Sequence, residues 1–109
     1  MGFIRLKKRI YVHDHVFSKH VMKLSKKTDR GASLFFSRRE CKNYILHTID
    51  QPDIVSMDGD QRRFHLYTRF EGAVGFKGRR VFYIVKVVTN STKRRIITAY
   101  PNGTMPKKP

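Results

Sequence analysis

The chain has 109 residues, of which 24 are Lys or Arg and 8 are Asp or Glu, giving a formal charge of +16 and a pI near 10.6. That length suits one domain over residues 1–109 with a single modest core, supplied by 39% hydrophobic and 12% aromatic residues. No long apolar run suggests a membrane span or a signal-peptide core, and the one cysteine, Cys41, excludes an internal disulfide and a cysteine-based zinc cluster.

Self-repulsion of this size is normally tolerated because the partner is a polyanion. No amphipathic helix with a broad aromatic face is evident, so nucleic acid is expected ahead of an anionic membrane.

Residues 2–12 alternate loosely and read as a strand or an irregular arm. Val16, Phe17, Val21 and Leu24 fall near helical spacing, which predicts a short helix over about 13–24. The stretch SKKTDRGAS then reads as an exposed loop. The second helix has the clearest signals: Ser37 with Glu40 makes a capping box, and Phe36 can staple onto Cys41. On that helix Cys41, Tyr44, Ile45, Thr48 and Ile49 form one stripe, and Pro52 ends it.

From Asp53 the pattern switches to strands. Phe64, Leu66, Thr68 and Phe70 alternate with Arg63, His65, Tyr67 and Arg69, so one face is apolar and the other basic, aromatic and polar. EGAVGFKG reads as a glycine-punctuated loop, RRVFYIVKVVT as one central strand, TNSTKR as a turn, and Arg95–Tyr100 as the final strand. The expected architecture is α+β, with two N-terminal helices packed on a three- to four-stranded antiparallel sheet. The core is expected over about 12–103, with 104–109 a flexible tail.

Three of the five histidines, His13, His15 and His20, fall within eight residues. On one ideal helix His13 and His20 share a side while His15 points elsewhere, so a single helix is not expected to aim all three at one atom. Carboxylates and thiolates are sparse, and no metal or other cofactor is expected. Near the other end, Thr98 and Tyr100 lie two apart on a strand and therefore share a face.

Histidines, cations and a hydroxyl pair suit metal-independent RNA cleavage. There the 2′-hydroxyl attacks the adjacent phosphate, and the reaction needs a proton acceptor, a proton donor, and donors around a phosphorane of growing negative charge. His15 and His20 are the candidate proton carriers, Thr98 and Tyr100 the groups that orient the phosphate. Arg63, Arg69 and Lys86 are candidate charge stabilisers. His13 is expected to matter much less than His15. The competing reading is a non-catalytic RNA- or DNA-binding module that uses Arg63, His65, Tyr67 and Arg69 as a stacking and phosphate surface.

The order of YVHDHVFSKHV, a basic loop, an FFS helix, IDQPDIVSMDGDQRRF, RVFYIVKVVT and RRIITAYP resembles the bacterial and phage toxin nucleases grouped with barnase, EndoU, the colicins and RelE. Within that group it is most similar to the RNase A-like C-terminal toxin domains of contact-dependent inhibition proteins. The resemblance spans about residues 12–103. It places the family's catalytic histidines at His15 and His20 and its hydroxyl pair at Thr98 and Tyr100. Where family members carry an arginine after the histidines, this chain offers Lys26, Lys27 and Arg30. The resemblance implies a monomeric endoribonuclease acting on RNA, often transfer RNA, and an acidic cognate immunity protein. It also implies delivery as part of a larger secreted or phage protein, with action in the target-cell cytoplasm.

Overall fold

The structure, a computed structural model, describes residues 2–21, 32–60 and 62–106. Its elements are β1 (Phe3–Lys7), β2 (Ile10–His13), α1 (His15–His20), β3 (Leu34–Phe35), α2 (Arg38–Asp50), β4 (Ile54–Asp58), β5 (Arg63–Arg69), β6 (Gly75–Lys77), β7 (Arg80–Phe82), β8 (Ile84–Thr89) and β9 (Arg95–Asn102).

The expected architecture is overturned. The chain opens on strands, and the main sheet has six of them in the order β1-β2-β9-β8-β5-β4, with β2 parallel to β9 and the other pairs antiparallel. A second, three-stranded sheet runs β3-β6-β7. The protein is thus a mostly β fold with a mixed sheet, rather than two leading helices on a small antiparallel one.

Three local departures account for this. Residues 3–13 form a hairpin that turns through Arg9 in the left-handed region (φ 66°) and extends the sheet. The glycine-rich stretch read as a loop contains β6, where a Cβ at Gly75 would run into the Leu34 carbonyl oxygen and the Pro101 ring; glycine is what lets two chain segments approach so closely. The run read as one central strand is broken at Tyr83 into β7 and β8, which belong to different sheets.

α1 is also shorter than expected. His13 belongs to β2, and Val21 is already extended (φ −123°, ψ 131°) and bridges to Phe35. Residues 22–24 of the predicted helix lie outside the described residues.

α2 is capped as its sequence indicates. Ser37 Oγ accepts the Glu40 amide at 3.1 Å and donates to the Glu40 carboxylate at 3.1 Å, so the glutamate reaches the serine hydroxyl. Phe36 stacks on Phe76 at 5.4 Å. Cys41, Ile45 and Thr48 are fully buried, and Cys41 and Ile45 share one core with Leu66, Val85, Val87, Ile96 and Ala99 of the sheet. Burial pushes the Cys41 thiol up to about 12, against the opposing pull of Arg38 and Lys42, so it is an inert core residue.

The opposite face of the sheet carries a small cluster of Ile54, Tyr67 and Ile84, on which Met105 packs. Beside that cluster, toward β9, lies the polar region that holds the histidines' partners.

Candidate active site

Two geometric features bring the site together. The first is where β2 stops. It pairs with β9 only at Tyr11↔Arg95 and Val12↔Ile96, after which the chain turns into α1, and α1 packs against the stretch of β9 that β2 leaves uncovered. Five helical residues rise roughly 7.5 Å and two strand residues roughly 6.8 Å. His15 and His20 therefore keep pace with Thr98 and Tyr100.

The second feature is a β-bulge. Opposite β8, the register runs Thr98↔Val88 but Ile96↔Thr89, which leaves Ile97 as the extra residue. Ile96 is fully buried in the core, and strict alternation would point Thr98 and Tyr100 the same way. The inserted residue reverses the parity, so Ala99 and Pro101 turn into the core while Thr98 and Tyr100 are half-buried on the other face.

The result is a continuous polar chain. His13 Nδ1 lies 2.7 Å from His15 Nδ1, and His15 Nε2 lies 3.0 Å from Thr98 Oγ1. The His15 and His20 ring centroids are 6.1 Å apart, and the His20 ring lies 5.4 Å from that of Tyr100. His20 is only 8% exposed, and its Nδ1–H donates to the Ser33 carbonyl at 2.9 Å. A carbonyl can only accept, so His20 holds a proton on Nδ1 and gains or loses its second one at Nε2.

Burial lowers the pKa of His15 from the ordinary 6.5, and His13, His20 and Lys19 lower it further, with Asp14 opposing. His15 is thus held in its neutral form at neutral pH, with a ring nitrogen free to accept a proton.

The neighbouring row across the sheet supplies the cation. Tyr67, Lys86 and Tyr100 face one another on β5, β8 and β9. Lys86 Nζ sits 5.4 Å from the Tyr67 ring centre and 5.7 Å from that of Tyr100. Burial alone would lower its pKa, but the charge interaction with Tyr100 and hydrogen bonds to both phenols outweigh that and raise it. The ammonium donates to the phenol oxygens, so the Tyr100 O–H is left to donate elsewhere.

His15, His20, Thr98, Tyr100 and Lys86 are therefore brought together. His65 lies in the Thr98 row, beyond Val88, and its pKa is lowered by burial, Lys86 and Arg63 against an opposing Asp58. Arg63 and Arg69 are at the two ends of β5, opposite Asp58 and Ile84 respectively, and the Arg69 amide donates to Asp53 at 2.8 Å. They flank the site without entering it. Lys26 and Arg30 lie outside the described residues.

Two members were missed by sequence reasoning. His13 joins because it ends a strand, so the single-helix geometry that kept the three histidines apart does not apply. Tyr67 joins because Lys86 pairs with it; its place beside His65 and Arg69 on the polar face was the available signal.

Among the described residues no group of three or more His, Cys, Asp or Glu is arranged to hold a metal ion. The 2.7 Å contact between His13 and His15 is a hydrogen-bond distance, shorter than the roughly 3.3 Å that would separate two imidazole nitrogens on one tetrahedral zinc. No helix among the described residues is long and apolar enough to cross a membrane. Comparison with known protein families, with characterised proteins and with solved structures finds no match.

Proposed function

We propose that the protein is a metal-independent ribonuclease that cleaves RNA by attack of a 2′-hydroxyl on the adjacent phosphate. The observation that carries this reading is the pairing of two histidines with two hydroxyls: His15 on Thr98 at 3.0 Å, and His20 against the Tyr100 ring at 5.4 Å.

In the proposed reaction the 2′-hydroxyl takes the place of Thr98 as donor to His15 Nε2, which removes its proton as the 2′-oxygen bonds to phosphorus. The bond to the 5′-oxygen breaks, and that oxygen takes a proton from doubly protonated His20. The products are a 2′,3′-cyclic phosphate and a 5′-hydroxyl, with one proton gained by His15 and one lost by His20. Thr98 and Tyr100 donate to the non-bridging oxygens, and Lys86 supplies positive charge where negative charge grows. Lys86 and Tyr100 hold each other in place before substrate arrives, and Thr98 turns its hydroxyl from His15 to the phosphate when the 2′-hydroxyl displaces it.

The +16 charge gives the attraction to the RNA backbone. On the family resemblance we further propose transfer RNA as the substrate class, an acidic immunity protein as the inhibitor, and release from a larger secreted or phage protein into the target-cell cytoplasm.

The test is incubation of purified protein with total RNA in excess EDTA. Cleavage to cyclic-phosphate ends is expected. Intact RNA with a mobility shift would replace this reading with that of a non-catalytic binding module, and activity restored only by a divalent ion would overturn the mechanism.

A further inference from the structure

The contacts of His13 restrict where its protons can be. The backbone N–H of His15 points at His13 Nδ1 from 3.2 Å, and an amide can only donate, so that nitrogen carries a lone pair. The 2.7 Å Nδ1···Nδ1 contact has room for one proton, which must then belong to His15 Nδ1. A neutral His15 with its proton on Nδ1 has a bare Nε2, and the Thr98 hydroxyl at 3.0 Å must donate to it. One direction of donation runs along the whole chain, from Thr98 through His15 to His13.

We infer that His13 is a positioning residue for His15: by accepting from Nδ1–H it fixes the tautomer that exposes a lone pair at Nε2. In serine hydrolases a buried carboxylate does this work; here a second imidazole does it. When His15 takes a proton at Nε2, its Nδ1–H keeps the lone pair of a neutral His13 as acceptor, whereas a charged His13 disfavours that proton. Asp14 Oδ1, 3.3 Å from His13 Nδ1, adds negative potential that favours a proton on either ring, and the His15 amide donating to His13 Nδ1 is what leaves that proton on His15.

The arrangement is also self-limiting in acid. If His13 Nδ1 is protonated first, it becomes the donor, His15 must accept at Nδ1, and the His15 proton moves to Nε2. The lone pair the reaction needs is then gone. The 2.7 Å contact holds one proton at a time, so a proton on one Nδ1 excludes a second on the other.

Among the described residues, the groups facing the dyad are few. Asp14 and Lys19 come from its own segment, His20 from the end of α1 and Thr98 from β9. From β1, the Phe3 ring stands edge-on to His13 at 5.4 Å and carries the Arg95 guanidinium on its face at 5.2 Å. For His15, burial and the neighbouring cations outweigh Asp14 and favour the neutral ring.

The kinetic part of the inference rests on the ribonuclease reading; the tautomer does not. Nitrogen-15 spectra of histidine-labelled protein without RNA, at neutral pH, should show His15 protonated on Nδ1 and bare at Nε2. The His13→Ala protein should show a mixture of both tautomers. A wild-type His15 protonated on Nε2 overturns the inference whether or not the protein cuts RNA. Correct tautomers in a protein that never cuts RNA would leave the inference standing and sink the ribonuclease reading alone.

In the kinetic arm, His13→Ala should lower kcat by about 10- to 1000-fold with little change in KM, the range expected when a proton carrier is misoriented. His13→Asn places an amide oxygen where Nδ1 was and should recover most of that loss above neutral pH. Its acid limb should change shape, because the second ring that can capture the proton at the Nδ1 contact is gone. A folded His13→Ala protein with wild-type kcat and an unchanged pH profile overturns the inference, as does His13→Asn behaving like His13→Ala. A melting temperature for each variant separates these results from loss of the fold.

Discussion

Replacing Tyr100 with Phe isolates one hydroxyl in the site. The ring stays, and with it the 5.4 Å contact to His20 and the 5.7 Å approach of Lys86 Nζ to the ring face. What is lost is an oxygen that accepts from the Lys86 ammonium and a hydrogen that, on the proposed reaction, donates to the phosphate. A hydrogen bond involving a charged group contributes roughly 1.5–3 kcal/mol. At about 1.4 kcal/mol per factor of ten, its loss in the transition state lowers the rate by about 10- to 150-fold.

Stability should change by less than about 1 kcal/mol, because Tyr100 is half-buried and Lys86 keeps Tyr67 as a partner. Tyr67→Phe is the matched control: it touches the same lysine from the far side, one strand further from the histidines, and should cost less than Tyr100→Phe. The assay is single-turnover cleavage of an RNA oligonucleotide with saturating protein in excess EDTA, which separates the chemical step from binding. If Tyr100→Phe cuts at the wild-type rate, or if Tyr67→Phe is the slower of the two, the phenol does not contact the reacting phosphate. The pair would then be an ordinary strand end.

Two further outcomes follow from the charges. His15 and His65 both have lowered pKa values in the folded protein, so the unfolded chain binds protons more readily. Their stability contribution is complete above the unfolded value near 6.5 and is lost as pH falls from there through the folded values. Melting temperature should therefore drop on acidification, and His65→Gln should flatten the drop; an unchanged pH dependence in that variant would refute the burial of a neutral His65. RNA affinity should fall by roughly 10³- to 10⁵-fold between about 50 and 200 mM salt if six or more phosphates are engaged. A flat salt profile would assign the positive charge to a different partner.

The parts of the fold legible in the sequence are those determined locally. α2 announces itself through Ser37, Glu40 and the Cys41-to-Ile49 stripe, because capping and helical periodicity involve residues a few positions apart. The two faces of β5 were equally plain, since period two is a property of the strand itself. The hairpin of β1 and β2 was not, because Arg5, Lys7, Lys8 and Arg9 blur its alternation and its sheet partner, β9, comes near the end of the chain. Short strands such as β6 and β7 carry too few residues to show a period. The candidate site divides along the same line: His15, His20, Thr98 and Tyr100 were nameable, yet the bulge at Ile97 that turns the last two out of the core is a matter of register between strands. One strand's sequence does not contain that register.

The N-terminal hairpin is therefore part of the site's construction. Its register sets Phe3 opposite His13, and the Gly2 carbonyl accepts the Asp14 amide at 2.8 Å, so β1 holds the residue on either side of the turn into α1. Arg95, the first residue of β9, packs its guanidinium on the Phe3 ring, which also meets His13 edge to face. β9 thus constrains the histidines twice: Thr98 meets His15 directly, and Arg95 steadies His13 through an aromatic ring. A helix of six residues has too few internal hydrogen bonds to hold two imidazoles in place by itself. The orientation of His15 comes from the strands on either side of it, which explains why a candidate site with both its proposed proton carriers on a short helix needs the strands that precede that helix as much as the hydroxyls that face it.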